Sequence, residues 1–183
     1  MELRATSIPD VKILVPRKFG DARGFFSEVY SRRALAEVGI ALEFVQDNHA
    51  YSARRGVLRG LHYQLPPQAQ DKLVRVTRGA VRDVAVDIRR DSPTFGKHVS
   101  VELSAENWQQ VLVPRGFAHA YVTLTPDVEV VYKVTADYAP QLERGIAWDD
   151  PDLAIDWGIP PAEIILAPRD TTHPRLADAT DLF

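Results

Sequence analysis

The sequence predicts an all-β fold, a barrel or double-sheet jelly roll with little helix, and three observations carry that expectation. Apolar residues alternate with polar or small ones at period two in several separate stretches, which puts one face of a strand on a core. Turn signals recur roughly every ten residues, at Pro66-Pro67, Gly79, Ser92-Pro93, Gly96, Pro114, Gly116 and Pro126, the spacing of short strands in a sandwich or barrel. The 183 residues include 45% hydrophobic ones and no repeat, low-complexity tract or Gly/Ser linker. A single domain over 1–183 is therefore expected, long enough to bury about two-thirds of its unfolded surface without staples.

Along the chain, the first element expected is a short helix, with Ser31 as N-cap, Arg32 through Val38 as body and Gly39 after the cap. Strands dominate from Glu43 to Val134. Val84, Val86 and Ile88 alternate with Ala85 and Asp87; Val99, Val101 and Leu103 with Ser100 and Glu102; Val128 and Val130 with Glu129, before Val131-Tyr132-Lys133-Val134. In Gly56–Gln64, strict alternation places Leu58, Gly60, His62 and Gln64 on one face and Val57, Arg59, Leu61 and Tyr63 on the other. After Trp148 the chain turns to Asp- and Pro-rich turns and short helices, around Asp149-Asp150-Pro151 and Pro160-Pro161. There Trp148, Leu153, Ile155, Trp157, Ile164 and Leu166 serve as anchors against the barrel.

Composition removes several function classes. With no cysteine there is no disulfide framework and no thiolate-ligated zinc or iron–sulfur site. No apolar run approaches the roughly 20 residues of a membrane span, and the first residues lack a secretory signal's apolar stretch, so an intracellular, cytoplasmic protein is expected. A pI of about 5.9 argues against nucleic acid as partner. Charge is uneven: residues 54–90 hold nine basic and three acidic residues, and Glu143 to the end nine acidic and three basic. Two explanations fit, that the two stretches face each other in the fold, or that the basic one lines a pocket for a compact anion such as a diphosphate. The glycine-rich dinucleotide and phosphate loops, H-E-x-x-H and G-x-S-x-G are all missing.

Single residues leave the chemistry open. No two of the five histidines (His49, His62, His98, His119, His173) are one residue apart on a strand, and His62 with His119 lacks a clear third ligand, so no metal site is expected. His62 beside Gly60 is either a core histidine bonded to a carbonyl or a general base with room for a ligand. Lys72, at the head of Lys-Leu-Val-Arg-Val and sharing a face with Val74 and Val76, is either a snorkelling strand end or an electrophile aimed into a cavity. Tyr132 taken alone reads as packing, and Arg23 and Asp170 as turn residues.

Taken together, the segments G-D-A-R-G-F-F-S-E (20–28), F-V-Q-D-N-H (44–49), G-V-L-R-G-L-H-Y-Q (56–64), K-L-V-R-V (72–76), D-V-A-V-D-I-R (83–89), S-P-T-F-G-K (92–97), P-R-G-F-A-H-A (114–120), Y-K (132–133) and R-D (169–170) resemble the dTDP-4-dehydrorhamnose 3,5-epimerase family in order and spacing. The resemblance spans about residues 5 to 175. It implies a cupin-type jelly roll, usually a homodimer, acting on a dTDP-linked 4-keto-6-deoxyhexose in dTDP-rhamnose biosynthesis with neither metal nor organic cofactor. It implies His62 as base with Asp170 orienting it, Lys72 at the enolate oxygen and Tyr132 as the acid on the opposite face. Arg59 and Arg23 match diphosphate and sugar contacts, and Glu28, Gln46 and Asn48 match positions that hydrogen-bond the substrate. His119 matches a sugar-pocket histidine and Tyr138 a thymine-stacking ring, with Glu143 and Arg169 as further contacts. The strand bearing Arg23, Phe26 and Glu28 would reach the partner's site. Ala120 and Tyr121 stand where Gly-Phe is common in the family and are expected to narrow the pocket. Alternation sets Arg59 and His62 on opposite faces, so one shared pocket requires a bulge at Gly60 or entry of Arg59 from the rim. The competing readings are a 3- or 5-epimerase inverting one centre, a non-catalytic nucleotide-sugar-binding cupin, and a metal-dependent cupin isomerase or oxygenase.

Overall fold

The computed structural model describes residues 1–183. A six-stranded antiparallel sheet contains β1 (Glu2–Ala5), β2 (Lys12–Val15), β5 (Gln46–Ser52), β7 (Lys72–Arg78), β10 (Gln110–Val113) and β12 (Val128–Val134), in the order β1-β2-β10-β7-β12-β5. A five-stranded sheet contains β6 (Leu58–Gln64), β8 (Ala80–Asp87), β9 (His98–Ser104), β11 (Phe117–Thr123) and β13 (Glu143–Gly145), in the order β13-β6-β11-β8-β9. A separate hairpin joins β3 (Lys18–Asp21) to β4 (Gly24–Ser27).

The two large sheets stack face to face. Val74, Val76, Val111, Val113, Val128 and Val130 from one meet Val81, Ala85, Val99, Leu103, Phe117 and Tyr121 from the other, so the alternating residues Val99, Leu103, Val128 and Val130 line a double-sheet core. The outer face of the six-stranded sheet (Leu14, Leu73, Leu112) is covered by the helix α1 (Arg32–Glu37) through Leu35, together with Ile40. That helix starts and stops as its sequence demands: Ser31 accepts a hydrogen bond from the Ala34 N–H, and Gly39 follows the cap in the left-handed region.

The outer face of the five-stranded sheet, including Val84, Val86 and Ile88, is covered by the C-terminal segment. Leu153, Trp157 and Ile159 are buried there, and Trp148, Ile155, Ile164 and Leu166 pack at its margins. The anchors expected of the tail are its anchors. Around Asp149-Asp150-Pro151 the chain forms a turn rather than a short helix; beyond it, short 3-10 helices span Pro161–Glu163 and Pro168–Thr171. The basic and acidic stretches do face each other: β6 pairs with β13, and Arg55–Glu163 and Arg82–Asp156 are ion pairs. No helix is long and apolar enough to cross a membrane.

Strict alternation fails in β6, and the failure positions the site. His62 lies opposite His119 while Arg59 lies opposite Tyr121, so β6 spends three residues where β11 spends two. The extra residue is a bulge at Gly60-Leu61, with Gly60 at φ +127°. The side-chain phase flips across it. Leu58, Leu61 and Tyr63 point to the tail-covered face, whereas Val57, Arg59 and His62 line a cavity on the inner side. The expectation that Leu58 and His62 share a face is therefore wrong, and the bulge at Gly60 is the device that puts Arg59 and His62 in one pocket.

Candidate active site

At one mouth of the sandwich a cavity of about 470 Å3 is lined by Arg59, His62, Lys72, His119, Tyr121, Tyr132, Arg169 and Asp170. It continues into a cleft of about 260 Å3 that shares His62, Lys72, Tyr132 and Arg169 and adds Gln46, Asn48, Gln64, Tyr138 and Glu143. Topology sorts these groups. Arg59 and His62 on β6 and His119 on β11 come from the five-stranded sheet; Lys72 on β7, Tyr132 on β12 and Gln46 and Asn48 on β5 come from the six-stranded one. Asp170 arrives from the 3-10 turn Pro168–Thr171.

His62 Nε2 is 2.7 Å from Asp170 Oδ1, and the carboxylate is 2% exposed. Burial pushes the Asp170 carboxyl up, but the hydrogen bond and charge of His62, with Arg169 and His173 nearby, more than offset it and hold it below its ordinary value. Asp170 is thus an anion shielded from water and bonded to one imidazole nitrogen, which fixes that ring's orientation and leaves Nδ1 as the nitrogen free to take a proton.

A second pair lies beside the first. His119 Nε2 is 2.8 Å from Asp83 Oδ2, both buried. Asp83 was not singled out in the sequence, where it reads as one letter of an alternating strand; only the pairing of β8 with β11 brings it to His119.

Lys72 has its Nζ 3.4 Å from the His62 carbonyl and no carboxylate partner. Burial lowers it to about 8, with the negative charges of Asp83 and Glu143 acting the other way. Tyr132 is pushed up by burial, against which the positive charge of Arg59 works, and so it holds its proton at neutral pH. Of the two residues expected to narrow the pocket, Tyr121 lines the cavity and is pushed up to about 12 by burial, whereas Ala120 packs in the cluster beneath the C-terminal segment.

The cleft's outer rim is a chain of hydrogen bonds. Gln46 Nε2 donates to Asn48 Oδ1 at 2.8 Å, and the Tyr138 N–H donates to Gln46 Oε1 at 3.1 Å. Tyr138 Oη donates to Glu143 Oε2 at 2.8 Å, and Arg169 Nη1 meets the same oxygen at 3.0 Å. Tyr138 itself is half exposed, an aromatic face open at the rim. Arg23, Phe26 and Glu28 are not in this cavity. Arg23 sits in the turn of the β3–β4 hairpin paired with Asp21, Phe26 is 71% exposed, and Glu28 lies just past the end of β4. The hairpin is anchored instead by Trp108, whose ring meets Phe25 edge-on at 4.9 Å and whose Nε1–H donates to Ser27.

A family model for dTDP-4-dehydrorhamnose 3,5-epimerase matches residues 5–178. The chain belongs to this family. A dTDP-4-dehydrorhamnose 3,5-epimerase of Pseudomonas aeruginosa is 53% identical over 180 residues, covering 98% of both chains. Among solved structures, the dTDP-6-deoxy-D-glucose-3,5-epimerase of Legionella pneumophila in complex with dTDP-4-keto-L-rhamnose superposes with a TM-score of 0.93 at 45% identity, over 98% of this chain and 94% of that one. The Bacillus anthracis dTDP-4-dehydrorhamnose 3,5-epimerase, with TDP and PPi bound, gives 0.92 at 46% identity, over 95% and 98%. The cupin-like jelly roll expected from the sequence is the fold of this epimerase family.

Proposed function

We propose that this epimerase inverts C3 and C5 of dTDP-4-dehydro-6-deoxy-D-glucose to give dTDP-4-dehydro-L-rhamnose. The observation that carries the reading is the placement of His62 and Tyr132 on opposite sheets of one cavity that Lys72 also lines. The C4 carbonyl acidifies the hydrogens at C3 and C5. Nδ1 of His62 takes one of them, and Asp170 stabilises the imidazolium as it forms. The Lys72 ammonium stabilises the enolate oxygen, where negative charge is greater in the transition state than in the ketone. Tyr132 then returns a proton from the other face and the centre is inverted. His119, held by Asp83, donates along the sugar, while Gln46, Asn48, Glu143 and Arg169 hold its hydroxyls and diphosphate together with Arg59. Tyr138 stacks on thymine. The protein works in the cytoplasm as a homodimer in which the β3–β4 hairpin carries Arg23, Phe26 and Glu28 to the partner's cavity, consistent with the exposed Phe19, Phe25 and Phe26.

The test is turnover of the keto sugar in D2O. Deuterium at both C3 and C5 of the product supports double inversion, whereas label at one carbon alone would reduce the enzyme to a single-centre epimerase. In Tyr132→Phe the enolate still forms but only His62 can reprotonate it. Product formation therefore falls about 10²- to 10⁴-fold while exchange with retained configuration continues. Equal loss of both would remove Tyr132 as the acid.

Lys72 sets the alkaline limit. Its ammonium is present below about pH 8 and lost above it, so kcat falls as pH rises through that value. In Lys72→Arg, whose guanidinium keeps its charge, the rate is lower but the alkaline limb of the pH–rate profile is absent.

A further inference from the structure

His173 has no part in the chemistry above, yet it stands against the dyad. Its ring is edge-on to His62 with centroids 5.5 Å apart, and its Nε2 is 3.5 Å from Asp170 Oδ1, the oxygen that also meets His62. That Nε2 is buried and makes no hydrogen bond. The place is shaped for the ring: Gly145, paired across from His62 on β13, lies under it, and a Cβ at Gly145 would fall 2.5 Å from His173 Cδ2. One donor atom each from His62, Asp170 and His173 lie within 4.8 Å of one another. A cleft of about 270 Å3 lined by His62, Gly145 and His173, but not by Lys72 or Tyr132, gives an ion a way in.

We propose that His62, Asp170 and His173 form an inhibitory site for a transition-metal ion such as Zn2+. Two imidazoles and one carboxylate are the donors such ions prefer over Mg2+ or Ca2+. Donors bound to one tetrahedral zinc at about 2.0–2.1 Å stand a little over 3 Å apart, so the 2.7 Å and 3.5 Å spacings to Asp170 need only small shifts. The two imidazole donors, within 4.8 Å of one another, close on the ion by turning of the rings. Arg169 Nε, 3.5 Å from Asp170 Oδ1, is the competing cation, and its guanidinium retains Glu143 as a partner when the ion enters. Inhibition follows from proton placement. In the free enzyme Nε2–H of His62 donates to Asp170 and Nδ1 is the base. An ion on Nε2 displaces that proton, the neutral ring then carries its hydrogen on Nδ1, and no lone pair is left to accept one from the sugar. The inhibition rests on the role of His62 proposed above; the binding does not.

The test is calorimetric titration of the whole enzyme with ZnCl2, alongside turnover at the same concentrations. One ion per chain should bind, turnover should fall in step with occupancy, and a chelator should restore it, while MgCl2 does neither. In His173→Ala and His173→Gln, the second of which refills the space over Gly145, turnover without zinc should be retained and zinc binding weakened at least tenfold. Absence of saturable binding, or binding unchanged in both variants, would overturn the site. Binding that requires His173 but leaves turnover untouched would overturn His62 as the base instead.

Discussion

His62→Asn lowers turnover by about 10²- to 10⁴-fold, the range that a positioned general base contributes, and removes solvent exchange at both C3 and C5. Both effects arise at one step. Without the His62 imidazole the assigned base is gone, so enolate formation collapses and Lys72 and Tyr132 have little to act on. Asparagine is the informative replacement because its amide can still donate to Asp170, whose carboxylate is 2% exposed. Alanine would strand that anion in the interior, a cost of about 1–3 kcal/mol or more, and confuse lost chemistry with lost stability. Deuterium incorporation followed by NMR, with the melting temperature measured on the same sample, separates the two. If exchange persists in His62→Asn, the base is another group.

Gly60→Ala has the second large effect, and it acts through backbone. At φ +127° an L side chain is strained, and the added Cβ would meet Ala120 Cβ, with His119 O at 2.5 Å and Ala120 Cα at 2.6 Å. Those atoms belong to β11, the neighbouring strand that also carries His119, so the clash cannot be relieved by rotating a side chain. A loss of about 4 kcal/mol or more is expected, with Arg59 and His62 no longer both on the inner face in any protein that folds. Gly24→Ala is the control. It has a similar φ of +129° but nothing within 4 Å of its Cβ, so it should cost only the backbone strain, read by its melting temperature. Thermal melts of the two variants beside turnover measure the difference; similar losses in both would mean that φ alone, and not the approach of β11, makes glycine necessary.

The same bulge marks where reading the sequence stops. Period-two logic identified the strands from Val84 to Val134 because their alternating apolar residues are buried, Val99, Leu103, Val128 and Val130 between the sheets and Val84 and Val86 beneath the C-terminal segment. Ser31 and Gly39 punctuated the helix clearly. It failed at Leu58–His62, since one inserted residue reverses the faces and only the glycine hinted at it. β1 was not anticipated because all four of its residues are exposed and no alternation survives there. Asp83 and His173 were missed for another reason. Each becomes meaningful only through a contact made far along the chain, His119 with Asp83 at 36 residues' separation and His173 against a ring 111 positions earlier, and no local pattern reports such contacts. The family-like segments carried His62, Lys72, Tyr132 and Asp170, which occupy one cavity; Arg23 and Phe26 stand on a hairpin and Glu28 just past it, and this chain does not bring them there.

Base and acid stand on different sheets, so the span between them is set by whatever fills the space between those sheets. Val74, Val76, Ala85 and Phe117 thereby act as a gauge block: their bulk fixes how wide a ring can be gripped from above and below at once. Tuning such an enzyme toward a thicker or thinner sugar is then a matter of shimming its hydrocarbon interior, at positions no ligand ever touches.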